Sequence, residues 1–198
     1  MNNFVSNKVP FEIFGDLLNK AKANKNIKEP TAMNLATVGK NNMPSSRMVL
    51  LKTYDERGFC FFTNLTSRKA DQLKKNQHVA LCFYWMEFGV QVRIEGKVQE
   101  VSKQEADDYF ASRRRGSQIG AWASDQSSEI ENPDDLRNKL TEIDQRYQDI
   151  EVPRPPFWSG FRVVPNRIEF WWEGRFRIHD RHLYEKDVEN WKLTKLYP

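Results

Sequence analysis

The sequence predicts a mostly β protein, an antiparallel β-barrel with α-helices packed on its outside. Many short apolar stretches are separated by turn-forming residues, and few segments have helical periodicity. Strands and helices do not alternate as they do in a parallel α/β fold. The chain has 198 residues, of which 39% are hydrophobic, so it can bury one sizeable core.

The N-terminal part begins with an amphipathic helix, predicted over Pro10–Ala23. We expect residues 1–28 to form a partly mobile helical segment, followed by one domain over residues 29–198. The helix is indicated by apolar residues at Phe14, Leu17, Leu18 and Ala21.

Antiparallel strands follow, predicted at Met33–Val38, Arg47–Tyr54 and Phe59–Thr63, because Gly- and Asp-containing turns separate these apolar stretches. A further strand alternates apolar residues from Val90 to Val98 with polar ones. Such a strand is covered on one face only, and Gln91 points away from the apolar face.

Three helices have recognisable starts. Ser67 can cap a short helix that runs through Leu73. Ser102 and Glu105 form a capping box that predicts a helix to about Ser112. The sequence Asn132-Pro133-Asp134-Asp135 starts a third helix, which ends before Pro153. Its apolar stripe consists of Leu136, Leu140, Ile143 and Tyr147.

The C-terminal part returns to strands, with turns marked by Gly174 and Asp187. The predicted strands are Phe161–Val164, Arg167–Trp172, Phe176–His182 and Trp191–Leu196.

Charge and composition narrow the class of protein. The 31 Lys and Arg against 27 Asp and Glu leave a net charge of +4, and the dispersed cations favour anionic small molecules over nucleic acid. No targeting or membrane-spanning segment is recognisable, so we expect a cytoplasmic protein outside the membrane. Cys60 and Cys82 lie in apolar runs, which predicts buried free thiols rather than a disulfide or metal site.

The motifs of triad hydrolases, P-loop proteins, dinucleotide-binding proteins and zinc proteins are absent from the sequence. Cations instead stand at the ends of predicted elements, which is typical of phosphate sites. They are Arg47, Lys52, Arg68, Lys69, Arg113–Arg115, Arg177 and Arg181.

Tyr109, Arg113 and Ser117 are spaced by four residues and share a face if the helix continues that far, where all three donate to one phosphate monoester. Other interpretations stay open. The Arg113–Arg115 run can be a solvated face, His179 a structural histidine, and Gln126–Ser128 an ordinary polar loop. Spacing alone does not decide the function.

The run Ile168–Arg181 resembles the C-terminal signature of the pyridoxine (pyridoxamine) 5′-phosphate oxidase family. The resemblance extends from about Glu29 to Pro198. Its other motifs, in family order, are Pro30–Met33, Arg47–Lys52, Thr63–Lys69, Ser117–Trp122, Gln126–Ser128 and Phe157–Arg162.

This resemblance implies an FMN-binding, antiparallel Greek-key split barrel that forms a homodimer, with each flavin site at the subunit interface. By motif, the FMN-binding residues are Arg47, Met48, Lys52, Phe62, Thr63, Arg68, Lys69, Gln91, Gln126, Ser127, Trp171 and Arg181. The substrate-binding residues are Lys52, Tyr109, Arg113, Ser117, Arg177 and His179, of which Arg177 and His179 are also catalytic. No metal is implied.

The implied reaction oxidises phosphorylated B6 vitamers with O2. A hydride passes from the substrate C4′ to flavin N5, giving the aldehyde of pyridoxal 5′-phosphate, and O2 reoxidises the flavin to yield H2O2. Two residues depart from the family pattern: Trp172 replaces a usual Gln, His or Gly, and Glu29 replaces a frequent Asp. The alternatives are a phenazine-pathway flavin oxidase and a non-catalytic flavin- or haem-binding split barrel.

Overall fold

The computed structural model describes residues 4–5 and 9–198, which form ten strands and five α-helices. The helices are α1 (Val9–Ala23), α2 (Arg68–Lys75), α3 (Lys103–Ala111), α4 (Arg115–Ala123) and α5 (Pro133–Arg146). The strands are β1 (Phe4–Val5), β2 (Ala32–Val38), β3 (Pro44–Leu50), β4 (Thr53–Asp55), β5 (Gly58–Asn64), β6 (His78–Trp85), β7 (Val90–Glu100), β8 (Trp158–Trp172), β9 (Asp180–Asp187) and β10 (Asn190–Leu196).

All of the described strand pairs are antiparallel, and the sheet order is β1-β10-β9-β8-β7-β6-β2-β3. The N-terminal half of β8 also pairs with β5, which in turn pairs with β4. The long β8 therefore belongs to two parts of a curled sheet. In the described part of the chain β3 pairs only with β2. The half-barrel is thus open between β3 and β5, in agreement with the predicted split barrel.

The strand ladder between β7 and β8 contains a bulge between Glu95 and Gly96. A Cβ atom on Gly96 would lie 2.2 Å from the Val164 carbonyl oxygen, so the close approach of the two backbones requires glycine there. Asn166 is the extra residue on β8, because Arg167 pairs with Glu95 and Pro165 with Gly96. The bulge explains why β8 continues through a proline, where the sequence predicted two strands.

The core fills the concave side of the sheet and is rich in aromatic rings. Helix α1 closes it: the ring of Phe14, fully buried, lies 4.9 Å from Phe59 and 5.1 Å from Phe83. The apolar residues of β7, including Val92 and Ile94, face the same core, which confirms the predicted alternation. Burying one such aromatic side chain contributes roughly 1.5–3 kcal/mol.

Several predicted elements differ from those observed. The predicted strand Arg47–Tyr54 is interrupted, because Leu51 N–H donates to Thr31 (2.9 Å) and Lys52 N–H to Cys60 (2.9 Å). That switch of partners ends β3 and starts β4.

The predicted strand Phe176–His182 is also wrong in its first half. Arg175–Arg177 form a short 3-10 turn, and β9 begins at Asp180. Phe176 and Arg177 have positive φ angles of 57° and 65°, which no extended strand has. The sequence interpretation also missed β6 and α4 as elements.

Cys60 is buried and Cys82 half-buried, both as free thiols. None of the described helices is long and apolar enough to cross a membrane. The helix predicted at Pro10–Ala23 is confirmed as α1. The rest of the prediction for residues 1–28 is untested, and residues 1–3 and 6–8 lie outside the described part.

Candidate active site

A cleft with a volume of about 690 Å³ lies at the opening of the barrel, between β3, β5 and the helices α3 and α4. Nine of the predicted site residues line it: Met48, Lys52, Phe62, Thr63, Lys69, Tyr109, Arg113, Ser117 and Gln126. The split in the fold thus brings together residues from five separate segments.

One wall of the cleft is aromatic. The rings of Phe62 and Tyr109 are stacked with centroids 4.0 Å apart, and Trp158 lies 5.4 Å from Phe62. Stacked rings of this kind give a flat, rigid surface on which another planar ring can pack. Trp158 was not predicted as a site residue, although it lies in the motif Phe157–Arg162.

Arg113 lies against this wall with an unused donor. Its guanidinium carbon is 4.8 Å from the ring centre of Trp158 and 5.5 Å from that of Phe110. Its Nη1 is buried and has no hydrogen-bond partner among the described residues, and burial lowers the pKa of Arg113. A buried guanidinium with an unsatisfied N–H is suited to bind an oxyanion.

The geometry that brings Tyr109, Arg113 and Ser117 together differs from the prediction. The helix does not continue: α3 ends at Ala111 and α4 begins at Arg115. At the corner, the Gln118 side chain donates to the Phe110 carbonyl at 3.0 Å. All three predicted residues nevertheless line the cleft, because the corner turns both helices toward it.

The Arg113–Arg115 run is solvated only in part: Arg113 is half-buried, whereas Arg114 and Arg115 are exposed. Arg114 lines the cleft beside Arg113. Arg115 donates instead to the carbonyls at the end of α5, those of Asp144 (3.3 Å), Tyr147 (3.0 Å) and Ile150 (3.3 Å). Cations at a helix C-terminus satisfy free carbonyls and oppose the negative end of the helix dipole.

A second group of cations surrounds the start of α2. Ser67 caps this helix and is fully buried. The Lys69 ammonium donates to Gln126 Oε1 (2.6 Å), Thr63 Oγ1 (3.0 Å) and Ser67 Oγ (3.3 Å). Burial and the charge of Arg47 lower the pKa of Lys69 to about 8.

Arg47 is likewise held by neutral groups. It donates to the Leu35 carbonyl (3.1 Å), Thr37 Oγ1 (2.6 Å) and Ser45 Oγ (2.6 Å). Burial, together with the charge of exposed Arg68, lowers the pKa of Arg47. No carboxylate hydrogen-bonds to Arg47 or Lys69 within residues 9–198, so this cluster of cations can accept an anion.

Arg47 and Arg68 do not line the cleft, and the remaining predicted residues also lie outside it. Ser127 follows Gln126 in an exposed loop. Gln91, Trp171 and Arg181 are consecutive ladder partners on the outer face of β7, β8 and β9. None of these four lines the cleft.

The two predicted catalytic residues belong with this outer face. The His179 ring lies 4.4 Å from the Trp171 ring, and its Nδ1 accepts a hydrogen bond from Gly174 N–H at 3.3 Å. Arg177 is exposed in the 3-10 turn. One chain therefore carries two groups of predicted site residues, one in the cleft and one on the outer face of the sheet.

The sequence interpretation missed Arg93 and Glu169, which hold Arg181. Arg181 Nε donates to Glu169 Oε1 at 2.8 Å, its Nη2 lies 2.8 Å from the same oxygen, and Arg93 donates to the other carboxylate oxygen. A signal was present, because Arg93 follows Gln91 on the polar side of the alternating strand.

The fold and the site define an antiparallel split-barrel protein with a cleft for anionic, planar ligands. Residues 20–147 match the family model described as pyridoxamine 5′-phosphate oxidase. Residues 158–198 match the pyridoxine 5′-phosphate oxidase C-terminal dimerisation region. The chain belongs to the pyridoxamine 5′-phosphate oxidase family.

Individual relatives agree with this assignment. The chain is 49% identical over 189 residues to the pyridoxine/pyridoxamine 5′-phosphate oxidase of Myxococcus xanthus (strain DK1622), covering 96% of this chain and 91% of the relative. It is 50% identical over 170 residues to the enzyme of the same name from Rubrobacter xylanophilus, covering 86% of this chain and 78% of the relative.

Among solved structures, PhzG from Burkholderia lata 383, in complex with tetrahydrophenazine-1-carboxylic acid, has a TM-score of 0.90 at 32% identity. The similarity covers 96% of this chain and 92% of that chain. An FMN-binding protein from Nostoc punctiforme has a TM-score of 0.76 at 14% identity, covering 94% and 96%. At that identity the likeness concerns the fold alone.

Proposed function

We propose that the protein is an FMN-dependent oxidase that converts pyridoxamine 5′-phosphate and pyridoxine 5′-phosphate to pyridoxal 5′-phosphate. The observation that supports this proposal is the set of cations Lys52, Lys69 and Arg113 that line one aromatic cleft, with the charge of Arg47 acting on Lys69 from outside the lining. Two phosphates, each with a charge of about −1.5 to −2 at neutral pH, bind near each other only if such cations offset their repulsion. The curated relatives described above carry this activity in their names.

The residues present fit FMN. Lys69 and Arg47 hydrogen-bond only to neutral groups among the described residues, and they would hold the FMN phosphate together with Arg68. Thr63, Gln126 and Ser127 would be neutral ligands. Phe62 and Met48 would lie against the flavin from the cleft. Gln91, Trp171 and Arg181 would contact it from the outer face of a second protomer.

When bound, FMN supplies the redox chemistry: it accepts a hydride from the substrate carbon and passes two electrons to O2, giving H2O2. Pyridoxine 5′-phosphate then yields the aldehyde directly, and pyridoxamine 5′-phosphate yields it with uptake of water and release of ammonia. The protein's contribution is to bind, orient and exclude water.

The substrate phosphate is assigned to Lys52, Tyr109, Arg113 and Ser117. Arg113 lines the cleft, and stacking on Trp158 restricts the orientation of its guanidinium, so less conformational freedom is lost when it binds a phosphate. Arg177 and His179 would cover the pyridine ring and stabilise developing charge rather than act as a strong base.

The separation of the two groups supports a homodimer. Gln91, Trp171 and Arg181 share the outer face of the sheet, whereas the phosphate-binding residues lie in the cleft. A second copy would bring its outer face to the cleft of the first, and residues 158–198, which match a dimerisation region, include most of that face.

The phenazine-pathway alternative is less well supported. The PhzG structure is 32% identical to this chain, whereas the curated oxidases above reach 49–50%. A substrate without phosphate would leave the donors of Tyr109, Arg113 and Ser117 without a ligand. A non-catalytic flavin- or haem-binding protein would give no role to Arg177.

The test is direct. The purified protein is examined for flavin absorbance and then supplied in air with each of the two phosphorylated vitamers while aldehyde and H2O2 are followed. We expect a yellow protein that forms both products in equal amounts. A yellow protein inert toward both vitamers would refute the proposed activity.

Two variants test the division of roles. Arg177→Ala is expected to reduce turnover more than FMN retention, because it faces substrate. Lys69→Ala is expected to reduce FMN retention more than turnover of the flavin-loaded fraction. Equal effects of each variant on both quantities would contradict these assignments.

A further inference from the structure

Glu169 is a buried acid on the polar, outer face of the sheet, with only 3% of its surface exposed. Burial pushes its pKa up, but hydrogen bonds from Arg181 and Arg93 outweigh this effect and leave the pKa below its ordinary value. The carboxylate is therefore ionised at neutral pH. A buried charge of this kind persists only when well-placed partners stabilise it.

The partners come from the two flanking strands. Arg93 is the direct ladder partner of Glu169 on β7. On β9 the direct partner is Leu183, so Arg181, two residues earlier on the same face, reaches the carboxylate along the diagonal. Each carboxylate oxygen thus binds a different guanidinium: Oε1 binds Arg181 and Oε2 binds Arg93.

The orientation of Arg181 is fixed by these contacts. Its Nε and Nη2 both lie 2.8 Å from Glu169 Oε1, and its Nη1 donates to the Tyr197 carbonyl at 3.0 Å. All three guanidinium nitrogens are therefore engaged, and the plane of the group cannot rotate without breaking one of these bonds. Arginine without such partners samples many rotamers, and ordering it on binding lowers affinity.

We propose that Glu169 is a positioning residue for the cofactor: it holds the Arg181 guanidinium in the orientation in which Arg181 meets the flavin bound in the cleft of a second protomer. The proposal rests on the proposed function, in which Arg181 is an FMN contact. Arg93 has the supporting role of fixing the second oxygen of the carboxylate. The cluster is defined as Arg93, Glu169 and Arg181, and its net charge is +1.

A purely electrostatic role for Glu169 and a positioning role predict opposite changes in FMN affinity when Glu169 is neutralised. Neutralising Glu169 raises the net charge of the cluster from +1 to +2, which strengthens its attraction for the FMN phosphate. If Glu169 acts by orienting Arg181, the same change loosens the guanidinium and weakens FMN binding. The sign of the change in affinity therefore separates the two roles.

The experiment uses full-length apoprotein and measures the Kd for FMN by quenching of flavin fluorescence. Glu169→Gln keeps the size of the side chain and is expected to raise Kd about 10-fold, the effect of weakening a charge-assisted hydrogen bond. The matched control is Glu95→Gln, which makes the same charge change on the same two strands. Glu95 is half-exposed, and its ion pair with Arg167 is long, at 3.9 Å. The Kd of Glu95→Gln for FMN is therefore expected to stay equal to that of wild type or to fall.

A double variant covers the case in which Glu169→Gln fails to fold. Arg93→Met combined with Glu169→Gln leaves the cluster at +1 and removes both charges of the Arg93–Glu169 ion pair together. We expect this protein also to bind FMN more weakly than wild type, although its net charge is unchanged. Circular dichroism and thermal unfolding of each apoprotein report folding separately from affinity.

Three outcomes are decisive. A raised Kd in both Glu169 variants with an unchanged or lower Kd in Glu95→Gln supports the positioning role. A Kd at or below the wild-type value in either folded Glu169 variant overturns it while leaving the proposed function intact. Wild-type apoprotein that does not bind FMN overturns the proposed function and this inference together.

Discussion

At the scale of single residues, the charge of Lys69 depends on whether an anion is bound beside it. Burial and Arg47 lower its pKa to about 8, because neither effect is balanced by an acid. A bound phosphate would reverse this shift by stabilising the ammonium. On the proposed function, Lys69 therefore links FMN binding to the uptake of protons above neutral pH.

The first prediction concerns this pH dependence. The affinity of the apoprotein for FMN is expected to fall as pH rises through about 8, by up to about 10-fold per pH unit, because the ammonium form is lost. Titrations of FMN fluorescence at pH 7, 8 and 9 measure the slope. Lys69→Arg keeps its charge over this range and is the control. Parallel slopes for the two proteins would contradict the assignment of Lys69.

The lowered pKa of Lys69 also makes the stability of the ligand-free protein depend on pH. Between pH 8 and 10.5 the unfolded chain binds more protons at Lys69 than the folded one, so this residue makes the apoprotein more stable as pH rises. Bound FMN is expected to reduce that rise, since it keeps Lys69 protonated in the folded protein.

A second residue-scale prediction concerns Arg113. Arg113→Ala removes the donors held against Trp158 and is expected to raise KM for pyridoxamine 5′-phosphate about 10- to 100-fold, as for the loss of charge-assisted hydrogen bonds. FMN retention is expected to stay near wild type, since Arg113 is assigned to the substrate phosphate. Steady-state kinetics and flavin absorbance check the two quantities.

The control for Arg113 is Arg146→Ala, an exposed cation of α5 that pairs with Glu142. It changes the net charge equally and is expected to leave KM unchanged. If Arg113→Ala lost FMN and substrate binding to the same extent, the separation of the two phosphate sites would be wrong.

At the scale of elements, an ion-pair network attaches α3 to the β4–β5 hairpin. Arg162, with 5% of its side chain exposed, pairs with Asp55 (3.1 Å) and with Glu105 (2.6 Å). Glu105 is also the reciprocal residue of the capping box with Ser102. This network fixes the start of α3, one helical turn before Tyr109 reaches the cleft.

The third prediction is that Arg162→Met lowers the free energy of unfolding by about 2 kcal/mol at pH 7, less than for a fully buried pair because the acids are one-third exposed. Urea denaturation of the apoprotein measures this value. The control Arg137→Met breaks only an exposed pair with Asp134 and is expected to have a much smaller effect. An equal loss in both variants would show that the network does not hold α3.

The acids of this network also make the stability of the folded protein fall at low pH. Burial raises the pKa of Asp55, but hydrogen bonds from Arg57 and the charge of Arg162 outweigh this effect, so the pKa lies below its ordinary value. The Ser102 backbone N–H lowers the pKa of Glu105, with help from Arg162. Their contribution to stability is complete above about pH 4.5 and is lost as pH falls through the lowered values. Arg162→Met is expected to lose less stability over that range than wild type.

The helices and strands differ in how well the sequence predicted them. Caps and alternation predicted α2, α3, α5 and β7, because these signals are local. Helix α4 lacked one, since its N-cap is Arg114 and no side chain caps it. Its position depends on contacts distant in sequence, such as Arg115 with the end of α5. The turn at Phe176 was missed because apolar alternation continues through a backbone with positive φ.

At the scale of the whole molecule, the predicted site divides between two surfaces of one chain. The motif resemblance named residues of both groups, but spacing could not show that Gln91, Trp171 and Arg181 align across three strands. That alignment depends on ladder register, which is a tertiary property. Arg93 and Glu169 were not predicted as site residues, because their contact with Arg181 also depends on ladder register.

The fourth prediction tests whether two copies complete each site. Arg113→Ala alters the cleft and Arg181→Ala alters the outer face, so each pure variant is expected to lose most activity at a substrate concentration near the wild-type KM. Mixed after reversible dissociation in equal amounts, they form hybrid dimers with one intact site, and activity is expected to recover to about a quarter of wild type. Refolded samples of each variant alone are the control. No recovery in verified hybrids would place both residues in a site within one chain.

The free edge of β3, which bounds the cleft, also bears on solubility. In the described part of the chain this strand pairs on one side only, and exposed Met48 projects from it. An unpaired strand edge is a template on which other chains add strands and aggregate. On the proposed function, FMN seated in the cleft would cover part of that edge, so cells short of riboflavin are expected to accumulate this polypeptide in inclusion bodies, while riboflavin feeding keeps it dispersed.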